Sequence, residues 1–195
     1  MTHHDNVKIL AFVGLAGSGK SSAVDYLTAK NFPKIYFGGI LYEEMRSEGI
    51  EITPESQQKF REEIRAREGK DFIVKRAIAQ VNKLIEAGQH RILLDGLYTW
   101  TEYKLLLHEF PGMLDVVAIV APKQLRHRRL ANRPDRPFTQ REATERDWTE
   151  IENLEKGGPI AIADHYVIND GNLAEFHERV DVVLDEIDFH PQSAL

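Results

Sequence analysis

The chain has no cysteine, which excludes disulfides, zinc–thiolate centres and thiol nucleophiles and suits a reducing compartment. No apolar run approaches the roughly 20 residues that a membrane-spanning helix needs. The opening Met1-Thr2-His3-His4-Asp5-Asn6 has no basic region leading into an apolar stretch, so no cleaved leader is expected and the protein reads as soluble and cytoplasmic. An excess of positive charge is lacking as well. Lys and Arg number 25 against 31 Asp and Glu, a formal charge of −6 with the two signs mixed along the chain. That pattern offers no footprint for a polynucleotide backbone and leaves a single nucleotide as the expected kind of ligand. Repeats and low-complexity tracts are lacking. The eight histidines show no H-E-x-x-H or other ligand spacing and no Ser or Asp partner, so no chemistry is assigned to them.

What is present suffices for one compact domain spanning 1–195, with 42% hydrophobic residues. Val7 to Val13 is an apolar, β-branched run closed by Gly14, as in a strand buried on both faces. Ser21 to Lys30 carries Ala23, Val24 and Leu27 at helical spacing. A short strand at Lys34 to Phe37 leads through Gly38-Gly39 into a charged helical stretch, Leu41 to Ala87, broken near Gly49 to Pro54 and near Gly69. Further strands are expected at Arg91 to Asp95, Leu114 to Val120 and Asp164 to Ile168. Helices are expected at Thr101 to Glu109, Gln124 to Ala131, Arg141 to Lys156 and Leu173 to Ile187. The last of these carries Leu173, Phe176, Val180, Val183 and Ile187 on one stripe. Strands alternating with helices imply an α/β, doubly wound, mostly parallel five-stranded sheet covered by helices on both faces. Residues 38–88 then form a helical acceptor region, and 132–147, with its prolines and arginines, a lid.

Gly14-Leu15-Ala16-Gly17-Ser18-Gly19-Lys20-Ser21 fits G-x-x-x-x-G-K-[ST] completely and lies between a predicted strand and a predicted helix. Glycines let successive backbone N–H groups curl around a phosphate, and the helix N-terminus adds its positive dipole end. Gly14, Ala16, Gly17, Ser18, Gly19, Lys20, Ser21 and Ser22 are therefore the expected residues for ATP phosphates. Lys20 neutralises the β/γ-phosphates, and Ser21 offers a Mg2+ ligand. Asp95, ending an apolar strand, reads either as a second magnesium ligand or as a cap before Gly96.

After such a loop, Leu93-Leu94-Asp95-Gly96 resembles the adenylate kinase pattern, and Arg129-Leu130-Ala131-Asn132-Arg133 resembles that family's R-x-x-x-R entering the lid. Ala163-Asp164-His165-Tyr166-Val167-Ile168-Asn169-Asp170-Gly171 is similar to the closing strand and N-x-G turn of dephospho-CoA kinases and their uncharacterised archaeal and bacterial relatives. The resemblance, loose but spread over nearly the whole chain, is to the P-loop nucleotide kinases. It implies that Arg129 lies against the adenine, that Arg133 contacts the transferred phosphate, and that Asn169 to Gly171 border the base. Arg136, Arg141 or Arg146 would complete the lid. Arginines on a closing flap stabilise spread charge on a migrating phosphoryl group and exclude water; a solvated basic helix is the other reading of the same residues.

The acceptor side departs from that family's pattern. Gly38-Gly39-Ile40-Leu41-Tyr42 stands where G-D-x-x-R is usual, and Asp95-Gly96 is followed by Leu97-Tyr98-Thr99-Trp100 rather than an arginine. Tyr42 and Tyr98 thus stand where phosphate clamps are expected, with Arg46, Arg65 and Arg76 as replacements. Arg65 and Arg76 read equally as members of surface ion pairs. Tyr98, Trp100 and Tyr103 read as pocket-lining or as core. The expected activity is ATP- and Mg2+-dependent phosphoryl transfer to a small nucleotide-like acceptor, of nucleoside monophosphate or dephospho-CoA type, by a monomer or homodimer. The alternative is a hydrolysing switch or a nucleotide sensor, although Val167-Ile168-Asn169-Asp170 lacks the lysine of a guanine-binding N-K-x-D.

Overall fold

The computed structural model describes residues 6–191, so the opening Met1 to Asp5 lies outside the described residues. Five strands, β1 (Lys8–Val13), β2 (Lys34–Tyr36), β3 (Arg91–Asp95), β4 (Leu114–Val120) and β5 (His165–Ile168), form one sheet in the order β2-β3-β1-β4-β5. Every pairing is parallel. The connections are α1 (Lys20–Thr28), then α2 (Phe37–Ser47), α3 (Pro54–Glu68) and α4 (Phe72–Glu86), then α5 (Trp100–Glu109), then α6 (Lys123–Ala131), α7 (Gln140–Glu152) and α8 (Gly157–Ala161). The closing helix is α9 (Leu173–Glu186).

Strand periodicity divides the core. Ile9, Ala11 and Val13 pack with Val74, Ala77 and Val81 of α4 and Leu106 of α5, whereas Leu10 and Phe12 pack with Ala23, Val24 and Leu27 of α1 and Phe176 and Val180 of α9. A third cluster, Leu41, Met45, Phe60, Ile64 and Phe72, ties α2, α3 and α4 together beside the sheet. Arg76 fastens the same helices, pairing with Glu44 and Glu68.

Because β1 is central and its neighbours are reached in opposite directions, a crevice opens beyond its C-terminal end. The register pairs Phe12 with Asp95, so Asp95 stands beside the point where β1 gives way to the glycine-rich loop.

Three local expectations change. Gly38 and Gly39 belong to the first turn of α2 rather than to a loop, because the Tyr36 ring lies against them: a Cβ would stand 2.5 Å from that ring at Gly38 and 3.0 Å at Gly39. Leu173 is 60% exposed, since it opens α9 ahead of the buried stripe. Finally, α7 stops at Glu152, and Glu155 turns the chain at φ 54°. The Lys156 N–H then donates to the Glu150 carbonyl at 3.0 Å, which closes the helix end and folds Lys156 back beside Glu150.

Candidate functional site

Gly17 and Gly19 hold the loop at φ 80° and 105°, conformations that side chains rarely adopt. Their surroundings forbid side chains too: a Cβ would lie 2.7 Å from the Arg126 carbonyl at Gly17 and 2.1 Å from Asn169 Nδ2 at Gly19. Three residues far from the loop in sequence bond to it. Asn169 Nδ2 donates to the Ser18 carbonyl at 2.8 Å, Arg126 donates to the Ala16 carbonyl at 3.0 Å, and the Ala16 N–H donates to Glu150 Oε2 at 2.9 Å. No side chain caps α1, so its leading N–H groups face the cavity with their dipole, as an anion site requires.

That cavity, of about 590 Å³, is lined by Gly14 to Ser22 together with Tyr98, Arg129, Arg133, Arg136, Arg146, Glu150 and Lys156. Lys20 Nζ stands 2.6 Å from Asp95 Oδ1, both side chains being 13% exposed. Arg129 donates to the Asn169 carbonyl and to Asn169 Oδ1, each at 3.1 Å. Burial, and then the neighbouring Arg128, lower its pKa. Gly171 lies outside the cavity lining, in the turn that starts α9, where a Cβ would meet the Glu175 carboxylate.

A second cleft, of about 310 Å³, adjoins the first. It is lined by Tyr36, Phe37, Gly38, Leu41, Tyr42, Arg61, Arg65, Ile73, Tyr98, Thr99, Glu102, Arg146 and Leu154. Tyr98 and Arg146 line both spaces. Arg61 and Arg65, one helical turn apart, form no ion pair with a carboxylate among the described residues. Desolvation, with repulsion from Arg65 and Arg146, lowers the Arg61 pKa. Glu102 is 6% exposed and accepts the Tyr98 and Thr99 N–H groups at 2.8 and 2.9 Å, fixing the loop that carries Tyr98. Burial raises the Glu102 pKa, against those bonds. Burial and the negative Asp95, Glu102 and Glu150 push the Tyr98 phenol up to about 12, so it stays a neutral hydrogen-bonding group at physiological pH.

The structure therefore brings Lys20, Ser21, Ser22, Asp95, Arg129, Arg133 and Asn169 to one cavity or its wall, and Tyr42, Arg65 and Tyr98 to the adjoining cleft. It places two expected acceptor cations elsewhere. Arg46 is exposed outside both linings, because Leu41 and Met45 set the buried face of α2. Arg76 is held by Glu44 and Glu68. Trp100 and Tyr103 stack on each other at 5.3 Å, with Tyr103 in the core and Trp100 packed against it. Arg61, Tyr36, Glu150 and Lys156 were not foreseen. Only Arg61 carried a signal, its spacing of four from Arg65. His127, read from sequence as having no acidic partner, lies 2.9 Å from Asp147 Oδ2 and is 4% exposed.

Comparison with known proteins gives the family and the fold. The model of the AAA domain family AAA_18 matches residues 10–150. A UPF0200 protein of Thermococcus gammatolerans is 34% identical over 182 residues, covering 92% of this chain and 95% of that protein. One from Thermococcus kodakarensis is 32% identical over 182 residues, covering 92% and 97%. Among solved structures, shikimate kinase from Bacteroides thetaiotaomicron superposes with TM-score 0.59 at 11% identity, covering 93% of this chain and 98% of that one. Dephospho-CoA kinase from Campylobacter jejuni superposes with TM-score 0.56 at 18% identity, covering 92% and 96%. The chain belongs to the UPF0200 family, with an AAA domain over residues 10–150 folded as the five-stranded parallel sheet of P-loop kinases.

Proposed function

We propose that the protein is an ATP- and Mg2+-dependent phosphotransferase that moves the γ-phosphoryl group of ATP to a small nucleotide-like acceptor. The observation that carries this reading is the meeting of two spaces at Tyr98 and Arg146, one lined by a complete phosphate loop and the other by aromatic rings and two arginines that form no ion pair with a carboxylate among the described residues. A hydrolysing switch has no use for the second cleft.

The residues fit the groups they would hold. The uncapped N-terminus of α1, the glycine conformations and Lys20 suit the phosphates of ATP. Ser21 and Asp95 would hold magnesium, which would supply charge neutralisation on the phosphates. In the structure Lys20 is paired with Asp95. Transfer of Lys20 to the nucleotide phosphates frees the Asp95 carboxylate for the metal. Arg133 and Arg136, on the exposed loop between α6 and α7 that lines the cavity, close over the phosphates and stabilise charge on the moving group. On the far side Arg61 and Arg65 grip an anionic group of the acceptor, and Tyr36, Tyr42 and Tyr98 contact its flat or apolar part.

The direct test measures ADP release with magnesium against nucleoside monophosphates, deoxynucleotides and dephospho-CoA, with shikimate as a non-nucleotide control. Acceptor-dependent release that EDTA abolishes is expected. Release indifferent to every acceptor would favour the hydrolysing switch instead. With the acceptor found, Arg65→Ala is expected to raise its KM by about tenfold or more, as loss of one charge-assisted hydrogen bond predicts, with less effect on kcat. Steady-state kinetics at saturating ATP check this, and an unchanged KM removes Arg65 from the acceptor site.

A further inference from the structure

Glu150 is 1% exposed, yet three groups from outside its own backbone converge on its carboxylate. The Ala16 N–H of the phosphate loop donates to Oε2 at 2.9 Å, while Lys156 Nζ and Arg146 donate to Oε1 at 2.8 and 3.0 Å. A backbone amide, an ammonium and a guanidinium around two oxygens form the donor set of a phosphoryl-binding site. Glu150, Lys156, Arg146 and Ala16 all line the cavity that holds Lys20 and Ser21.

Lys156 is placed for more than pairing. It is 5% exposed, its ammonium lies 4.7 Å from the centroid of the Tyr98 ring, and Lys20 lies 5.4 Å from that same centroid. Two ammonium groups therefore share the ring that separates the phosphate loop from the acceptor cleft. Burial lowers the pKa of Lys156, with Glu150 opposing it and Arg146 and Lys20 adding to it.

We propose that Glu150 is a built-in anion occupying the γ-phosphoryl end of the phosphate loop, and that a nucleoside triphosphate displaces it and takes over Lys156 and Arg146. The proposal rests on the reading of the loop as an ATP site given above. Exchange of one anion for another keeps the buried Lys156 and the partly exposed Arg146 neutralised throughout, whereas an empty site would leave Lys156 buried and unpaired at high cost. A diphosphate, lacking the γ-group, has no reason to evict the carboxylate. Glu150 and Lys156 thereby set the preference for ATP over ADP, and Lys156 becomes a further phosphoryl-binding cation beside Lys20 and the lid arginines.

The test is the ratio of ATP to ADP affinity, measured by titration calorimetry on the full chain with magnesium. Lys156→Met is expected to cut the preference for ATP by about tenfold, the worth of one charge-assisted hydrogen bond. Glu150→Gln, of the same shape without the charge, is expected to raise that preference by a similar factor. Glu150→Asp, one methylene shorter, keeps a charge for Lys156 but loses reach to Ala16. It is expected to raise the preference too and carries the test if the glutamine variant fails to fold. Wild-type ratios in Lys156→Met and in the folded Glu150 variant would show a merely structural pair and overturn the proposal. Failure of the wild-type protein to bind either nucleotide would instead overturn the function on which it rests.

Discussion

Lys20→Ala is expected to lower acceptor-dependent ADP release by at least about a hundredfold to a thousandfold, the usual consequence of deleting one preorganised charge at a transition state. The lysine is not needed to shape the loop. Gly17 and Gly19 are positioned by the Arg126 carbonyl and Asn169, and the loop is braced through Ser18 and Ala16, so its form survives loss of the side chain. What the variant does lose in the folded protein is the partly buried pair with Asp95. A cost of about 1 kcal/mol is expected for a pair that water still reaches. The two effects separate experimentally. Thermal melts report the pair, and single-turnover kinetics at saturating ATP report the phosphoryl step. Asp95→Asn should lower activity too, through the metal, while leaving Lys20 free. If Lys20→Ala retained full turnover, Lys20 would be no more than the partner of Asp95, and the assignment of roles at the loop would fail.

Legibility from sequence follows the range over which each feature is determined. The loop and its flanking elements are local: a β-branched run, glycines at fixed spacing and the start of a helix, all within Lys8–Thr28. Asp95 needed one further inference, that strands joined by helices pair in parallel, and the register then sets it opposite Phe12. The second cleft draws on the end of β2, α2, α3, α4, the start of α5, α7 and the turn after it, so its composition depends on how each helix is rotated. Arg65 and Arg46 look equivalent in sequence. Burial of Ile64 and Phe60 sends Arg61 and Arg65 to the cleft, whereas burial of Leu41 and Met45 turns Arg46 to solvent. Lys156 was hidden for a related reason. The periodic pattern runs on past Glu152, and only the reversal at Glu155 returns the lysine to Glu150. The glycine pair at Gly38-Gly39 misled because glycine signals both turns and close packing, and here the Tyr36 ring made the second use of it.

The charged residues of α6 read in sequence as a solvated basic helix, yet Arg126 and His127 form a buried ionic network with Asp147 of α7, and Asp147→Ala is expected to be the costliest single change in it. Arg126 and Asp147 are 7% and 9% exposed in their side chains, joined by bonds of 2.6 and 2.8 Å. His127 Nε2 lies 2.9 Å from the same carboxylate and Gln140 Nε2 lies 2.9 Å from Nδ1, which a neutral imidazole satisfies by donating from Nε2 to Asp147. Burial pushes the Asp147 carboxyl up, but the bonds from Arg126 and His127 outweigh it and hold the group below its ordinary range. Its stabilising contribution is therefore fully present at neutral pH and is lost as pH falls through that depressed value. Removing the carboxylate leaves Arg126 buried without its counter-charge, which costs about 3–5 kcal/mol, a large share of the 5–15 kcal/mol that holds a typical domain. Stability is not the whole effect, because Arg126 also donates to the Ala16 carbonyl and its own carbonyl packs under Gly17. Asp147→Ala should thus loosen the phosphate loop and weaken ATP binding along with the fold. The double variant Arg126→Met/Asp147→Leu separates these, since replacing a buried pair by apolar residues restores stability in many proteins. Urea unfolding is expected to show recovery in the double variant while ATP affinity stays low, because the bond to Ala16 is still missing. Recovery of both would mean that the network only glues α6 to α7 and that the loop takes its form from Asn169 and Glu150 alone.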